Sequence, residues 1–237
     1  MMQQLEGRIR AACERYEMIE DGDKIAVGLS GGKDSVSLLY CLADMRKYYP
    51  KKYDVIAVTS DMRVDSLDTD YSLLQKLCDS LNVEYIIKRT DISRIVFEER
   101  KEKNPCSLCA KMRRGVIHKI AKESGCNKVA LGHHLDDAAE TFIMNLFDGG
   151  RIDCFQPKTY LSDRDIYVIR PMIFASESLI AGQCRKAGLP VVKNKCPMDK
   201  TSNRQRTKDL LKKLNKEYPG IREKIVGALQ RGEIDGW

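Results

Sequence analysis

Nowhere does the sequence hold the roughly 18–20 consecutive apolar residues that a membrane-spanning helix needs. Its opening stretch, MMQQLEGRIRAACERYEMIEDGDK, is polar and mixed in charge and lacks the apolar segment of a secretory leader. A cytoplasmic location with no membrane contact is therefore expected. No internal repeat and no low-complexity tract occurs, which excludes a solenoid. Two common nucleotide-binding patterns are missing as well. A Walker A loop follows G-x-x-x-x-G-K-[ST], but here only three residues separate Gly28 from Gly32, and Asp34 follows Lys33. No G-x-G-x-x-G dinucleotide turn is present either.

What is there suits one α/β domain with a helical extension. Of the 237 residues 43% are hydrophobic and 32% charged, enough for a buried core in an aqueous protein. The formal net charge of +7 gives mild support for a polyanionic partner. That charge is concentrated: between Lys193 and Lys216 nine Lys/Arg stand against two Asp/Glu. A solvated helix face explains such a run equally well.

The hydrophobic pattern predicts a helix over Gln4–Tyr16, then a buried strand over Lys24–Ser30 that ends in a glycine turn. A helix over Asp34–Tyr48, a strand over Tyr53–Thr59, a helix over Asp68–Ser80 and a strand over Val83–Lys88 follow. After a polar stretch around Glu98–Pro105 come a helix over Ala110–Ser124 and a strand over Lys128–Gly132. A helix over Asp136–Phe147 and a fifth strand over Ile166–Arg170 complete the alternation. Strands alternating with helices predict a doubly wound, mainly parallel α/β sheet covered on both faces. Domain boundaries are expected at 1–175 for the α/β unit and 176–237 for a helical, basic extension.

The sharpest motif is Ser30-Gly31-Gly32-Lys33-Asp34-Ser35, between a predicted strand and a predicted helix. Such a turn aims backbone N–H groups and a helix N-terminus at one spot, an anion site. Gly31 and Gly32 allow close backbone approach to phosphate oxygens. Ser30 and Ser35 add hydroxyls, and Lys33 adds charge. Asp34 either binds Mg²⁺ or caps the helix. A second motif, Leu131-Gly132-His133-His134-Leu135-Asp136-Asp137, follows the fourth strand. It therefore falls at the carboxyl end of the sheet, where open α/β sheets bind ligands. Asp136 and Asp137 are placed there to hold Mg²⁺ or to cap their helix.

Nine cysteines without a secretion signal do not describe a disulfide scaffold. Cys13, Cys41, Cys78, Cys126 and Cys184 lie in or beside apolar segments and read as small core hydrophobes. Cys106 and Cys109 form a C-x-x-C on an expected loop before the basic residues Lys111, Arg113 and Arg114. Cys196 sits among cations in Lys193-Asn194-Lys195-Cys196-Pro197. Three such thiols suit a [4Fe–4S] cluster with one iron left open. Zinc with Cys154 or a histidine as fourth ligand, and a Cys106–Cys109 redox pair, remain alternatives.

SGGKDS after a strand resembles the PP-loop of the N-type ATP pyrophosphatases. The wider set is similar to the tRNA 2-thiocytidine synthetases, the TtcA family. It comprises Pro105–Gly115, the LGHH-x-DD stretch, Asn145-Leu146-Phe147-Asp148-Gly149-Gly150, Val168-Ile169-Arg170-Pro171, Asn203-Arg204-Gln205-Arg206 and Tyr218-Pro219-Gly220, and spans about residues 16 to 230. The resemblance implies an adenine-nucleotide α-hydrolase-like fold. ATP and Mg²⁺ would be held by Ser30, Gly31, Gly32, Lys33, Asp34, Ser35, Gly132, His133 and Asp137. A [4Fe–4S] cluster would be held by Cys106, Cys109 and Cys196, with Lys33, Asp34, Cys106 and Cys196 taking part in catalysis. The implied substrate is a tRNA cytidine, at position 32, thiolated after adenylation of its C2 oxygen. Sulfide or a cysteine desulfurase would donate sulfur, and the assembly allows a homodimer. Arg204, Arg206 and Lys208 are expected to grip RNA phosphates. Many members carry a second C-x-x-C where this chain reads Cys196-Pro197-Met198-Asp199, so one thiol of that pair is absent. A lysidine-type tRNA ligase or amidotransferase with structural cysteines, and a non-catalytic Fe–S or zinc RNA-binding module, are the competing readings.

Overall fold

A computed structural model describes residues 2–64, 68–100, 105–192 and 203–237. Helix α1 (Gln3–Arg15) leads into β1 (Asp23–Gly28), α2 (Lys33–Met45), β2 (Tyr53–Asp61), α3 (Ser72–Ser80) and β3 (Glu84–Arg89). The single turn α4 (Ile92–Arg94) and a π-helical turn (Ile95–Glu99) precede the long α5 (Pro105–Glu123). Then come β4 (Lys128–Ala130), α6 (Leu135–Gly149), β5 (Lys158–Leu161), β6 (Ile166–Ile169), α7 (Glu177–Lys186), α8 (Asn203–Glu217) and α9 (Ile221–Arg231).

The sheet runs β3-β2-β1-β4-β6-β5, parallel throughout except that β5 lies antiparallel on β6. This is the doubly wound arrangement that the strand–helix alternation predicts. Its central strands are apolar on both sides because both sides are covered. On one face α2 buries Val36, Leu38, Leu39 and Leu42, with Leu5 and Ile9 of α1 behind them. On the other, α5 lays Ile117, Ile120 and Ala121 over Ala26, Ile56 and Val58. Each fully buried Leu or Ile contributes about 1.5–3 kcal/mol.

All five predicted strands are present, their ends shifted by no more than two residues. The sixth, β5, was not expected: four residues, Lys-Thr-Tyr-Leu, at a sheet edge with one neighbour give no apolar run. Helix α5 begins at Pro105, not at Ala110, so the C-x-x-C lies on a helix rather than a loop. Proline fits the first helical turn because an N–H there would have no intrahelical acceptor anyway. Helix α3 starts at Ser72, not Asp68, whose carboxylate instead pairs with Arg63 at 3.3 Å and Arg89 at 3.1 Å.

At the amino end of the sheet, the Lys128 ammonium is 1% exposed and lies 2.7 Å from Asp23 Oδ2 and 3.4 Å from Glu20. Asn127 Nδ2 donates to Asp23 Oδ1 at 2.7 Å, and the Glu20 N–H donates to Asp23 Oδ2 at 2.6 Å. This set ties β1 to β4 and to the incoming chain. The C-terminal helices pack at the opposite end: Leu211 of α8 is buried against Ala139 and Ile143 of α6. Arg222 Nε of α9 stands 3.0 Å from Asp136 Oδ1. Among the described residues no helix is long and apolar enough to cross a membrane.

Candidate functional site

Strand order reverses between β1 and β4, and a ligand crevice belongs outside the carboxyl ends of the strands at such a point. The two sequence motifs meet there. After β1 the chain turns through Gly31 at φ +86°, and α2 begins at Lys33 with Gly32 as its N-cap. Serine hydroxyls organise the turn: Ser35 Oγ accepts from the Ser30 N–H at 3.1 Å, lies 3.0 Å from Ser30 Oγ and donates to Gly32 O at 3.0 Å. A Cβ at Gly32 would meet nothing nearer than Ser30 Oγ at 3.6 Å, so the mouth of the turn is open. Gly132, after β4, is closed in: a Cβ there would lie 3.3 Å from the backbone of Asp34 and Ser35. That close approach is why the second motif needs glycine at this position.

Between the two motifs lies a cavity of about 320 Å³, reached by Ser30, Asp34, Ser35, Gly132 and His133. Asp34 Oδ2 accepts from Lys33 Nζ at 3.0 Å, while its Oδ1 is buried with no hydrogen-bond partner. An orphaned carboxylate oxygen beside an open glycine turn fits Mg²⁺ and phosphate better than it fits a helix cap. Burial alone would push the Lys33 pKa down, but the Asp34 and Glu177 carboxylates outweigh it and hold the ammonium above its ordinary value. His133 is packed 5.1 Å from the Phe155 ring, and its Nδ1 has no partner. Burial, reinforced by the Arg170 charge, pushes its pKa down to about 4 and keeps it neutral.

The acidic pair of the second motif divides its roles. Asp137 closes a capping box: its Oδ2 accepts from the His134 N–H at 3.1 Å, and its own N–H donates to His134 Nδ1 at 3.3 Å. Asp136 Oδ2 accepts from the Glu177 N–H at 2.7 Å while its Oδ1 faces Arg222. Both carboxylates are thus engaged in structure.

The cysteines separate as their sequence contexts suggest. Cys13, Cys41, Cys78, Cys126 and Cys184 are buried. Desolvation pushes Cys13 and Cys78 up to about 12 and Cys126 to about 11, which makes them poor nucleophiles. Cys154, the alternative zinc ligand, is buried too, pushed up to about 12, and donates to Ala138 O at 3.5 Å. Cys106 and Cys109 occupy the first turn of α5. Cys106 is exposed; Cys109 is buried, 3.1 Å from Met62 Sδ, in a cluster with Ile92 and Val96. An apolar backing with an open front fits a cluster that must keep one iron accessible. Cys196 lies outside the described residues, and no group of three potential metal ligands occurs among the described ones.

Two side chains that the sequence left as ordinary basic residues line the same cavity: Arg113 and Arg114, one turn beyond Cys109. Arg113 Nε is buried without a hydrogen-bond partner. The signal was their helical spacing from Cys109, concealed by the expected loop. The three cations assigned to RNA, by contrast, are partly exposed and all form ion pairs within the protein. Arg204 reaches Asp137 at 3.0 Å and Glu140 at 3.5 Å, Arg206 reaches Asp148 at 2.5 Å, and Lys208 reaches Glu177 at 2.6 Å. These pairs help dock α8 on α6 and α7 while the three side chains stay at the surface.

Comparison with known proteins agrees with this geometry. The model of the PP-loop domain matches residues 1–214. The tRNA-cytidine(32) 2-sulfurtransferase of Dechloromonas aromatica is 38% identical over 228 residues, 95% of this chain and 79% of that one. That of Syntrophotalea carbinolica is 39% identical over 217 residues, 90% and 83% of the two chains. The chain belongs to the PP-loop tRNA-cytidine(32) 2-sulfurtransferase family. Among solved structures, this PP-loop protein matches the U34-tRNA thiolase NcsA from Methanococcus maripaludis with its [4Fe–4S] cluster. The TM-score is 0.79 and the identity 26%, over 97% of this chain and 77% of NcsA. It shares its fold with the NH3-dependent NAD synthetase of Campylobacter jejuni, TM-score 0.51 and 15% identity over 98% and 92% of the two chains.

Proposed function

We propose that this PP-loop protein thiolates a cytidine of tRNA, position 32, adenylating its C2 oxygen with ATP and replacing that oxygen with sulfur. The observation that carries the reading is α5, which bears the Cys106–Cys109 pair in its first turn and presents Arg113 and Arg114 to the nucleotide cavity in the next. A sulfur-handling site and a nucleotide site share one rigid element. A lysidine-type ligase has no use for that arrangement.

In this reading Ser30, Gly31, Gly32 and Ser35 cradle the β- and γ-phosphates, and Asp34, whose Oδ1 has no hydrogen-bond partner, would hold Mg²⁺ beside them. Gly132 and His133 form the opposite wall, and Asp137 keeps that wall in place by capping α6. The cytidine O2 attacks the α-phosphorus, the bond to the β-bridging oxygen breaks, and pyrophosphate leaves with its charge balanced by Lys33 and the metal. Arg113 and Arg114 hold the adenylyl phosphate. Sulfur then attacks C2, and the original oxygen departs with AMP. Cys106, Cys109 and Cys196 would hold a [4Fe–4S] cluster, which would supply that sulfur nucleophile from sulfide or a cysteine desulfurase. Cys196 follows four residues after Val192, whose N–H donates to Gly31 O at 2.9 Å.

Residues 1–175 carry the nucleotide chemistry and 176–237 the RNA-facing helices, in the cytoplasm. With Arg204, Arg206 and Lys208 engaged, the RNA face of α8 is Lys212, Lys213 and Lys216, exposed and without an ion pair among the described residues. The test is anaerobic reconstitution with iron and sulfide, followed by incubation with ATP and unmodified tRNA. Formation of 2-thiocytidine with one AMP per thiolated base is expected. ATP-dependent gain of an amine without sulfur would replace this reading with the ligase.

A further inference from the structure

Glu177 belongs to none of the motifs, yet it touches the phosphate loop. It opens α7, where the Ser176 side chain caps the helix and the Glu177 N–H is fixed by Asp136. Its carboxylate bridges two cations from distant parts of the chain: Oε1 takes Lys33 Nζ at 3.1 Å, and Oε2 takes Lys208 Nζ at 2.6 Å. Lys33 therefore stands between two carboxylates, Asp34 and Glu177. Asp34 lines the cavity; Lys33 and Glu177 do not, so the ammonium is held back from the cavity while Glu177 has it.

We propose that Glu177 is a positioning residue for the adenylation step, competing with the phosphates of ATP for Lys33 while Lys208 of α8 restrains it. The proposal rests on the reading that the Ser30–Ser35 loop binds those phosphates. Its physical basis is charge compensation. With no nucleotide bound, the Lys33 ammonium is neutralised by protein carboxylates. An incoming phosphate must draw Lys33 off Glu177, and an unpaired, half-buried carboxylate would oppose that exchange. Lys208 removes the opposition, because Glu177 keeps one partner whichever way Lys33 moves. Once pyrophosphate has formed, Glu177 is there to reclaim Lys33 and favour departure of the product. With both lysines in place the carboxyl is charged: burial pushes its pKa up, but hydrogen bonds from Lys208 and Lys33 outweigh this and hold it at about 2.

Three variants test this by calorimetric titration with Mg·ATP in the absence of tRNA, and by turnover in its presence. E177Q keeps the shape and removes the competitor. Its ATP Kd should fall about fivefold, the size of a partly exposed ion pair, and kcat should fall together with KM because pyrophosphate leaves more slowly. K208M leaves Glu177 with Lys33 alone, so its ATP Kd should rise by a similar factor. The double variant should match E177Q, since Lys208 acts only through Glu177. A merely structural Glu177 would weaken ATP binding in E177Q, and that result, or an unchanged Kd, overturns the proposal. So does a K208M variant that binds ATP like the parent but loses tRNA affinity, which would make Lys208 an RNA contact. Should E177Q fail to fold, K208M decides alone through the direction of its Kd. Absence of ATP binding by the parent protein overturns the nucleotide reading itself, and the proposal with it.

Discussion

The two ends of the parallel sheet both bury charge, and they treat it differently. At the amino end the buried Lys128 Nζ makes no hydrogen bond either, but its charge is paired at 2.7 Å with Asp23 and 3.4 Å with Glu20, and Asp23 also accepts from Asn127. At the carboxyl end Asp34 Oδ1, His133 Nδ1, Arg113 Nε and Ser60 Oγ are buried without hydrogen-bond partners, and all four residues line one cavity. A buried polar group without a partner costs stability, and four of them gathered on one cavity mark a place where a ligand can complete them. The first end is a fastening. The second is a receptor.

Mutation separates the two most sharply at Lys128. Lys128→Met strands Asp23 in the protein and should lower unfolding stability by about 3–5 kcal/mol in urea titration. The folded fraction should bind ATP as the parent does; a changed ATP Kd would mean that the amino end is not only a fastening. Asp34→Asn is the opposite experiment. AMP formation should fall at least 100-fold, about 2.7 kcal/mol of transition-state stabilisation, while the thermal midpoint holds, because Lys33 keeps Glu177 and the unpartnered oxygen no longer belongs to a carboxylate. A clear fall in the midpoint with activity intact would make Asp34 a fastening too.

Acidity provides a third probe. The folded-state pKa of His133 is depressed to about 4, so between that value and the ordinary 6.5 the unfolded chain takes up a proton that the folded chain refuses. Stability is therefore complete above pH 6.5 and declines as pH falls towards 4, by about 2 kcal/mol between pH 7 and 5. His118, also depressed to about 4, adds to the decline over the same window. Denaturant titrations of the parent and His133→Asn at both pH values should differ in slope by the His133 share; equal slopes would show His133 to be solvated. The smallest effect belongs to the core thiols. Cys13→Ala should cost about 1–2 kcal/mol of stability and leave iron content intact, whereas Cys106→Ala should remove iron and barely alter stability. Iron retained in Cys106→Ala would take that thiol out of the ligand set.

Much of this was legible in the sequence, and the illegible parts share a cause. The strands were read correctly because Ile25–Val27 and Val55–Val58 are apolar runs bounded by polar turns. The loop after β1 was read because glycine and serine at that spacing leave few conformations open. Partnership across the chain was not readable. Arg204 meets Asp137 across 67 residues, and Lys33 meets Glu177 across 144, so no local pattern records either pair. A basic helix therefore looked free for RNA when half its cations were already engaged. The start of α5 was missed for a local reason: Pro105, a helix breaker within a helix, is harmless as its first residue.

That early start has an angular consequence. Each residue advances an α-helix by about 100° around its axis, so Cys109 and Arg113, four apart, project within about 40° of each other. The bearing of the thiols relative to the nucleotide is thus written as a phase in the helix, held by Ile117 and Ile120 seated on the sheet. One residue inserted between Cys109 and Arg113 would leave every functional group present and swing the thiols a quarter-turn or more away from the cavity.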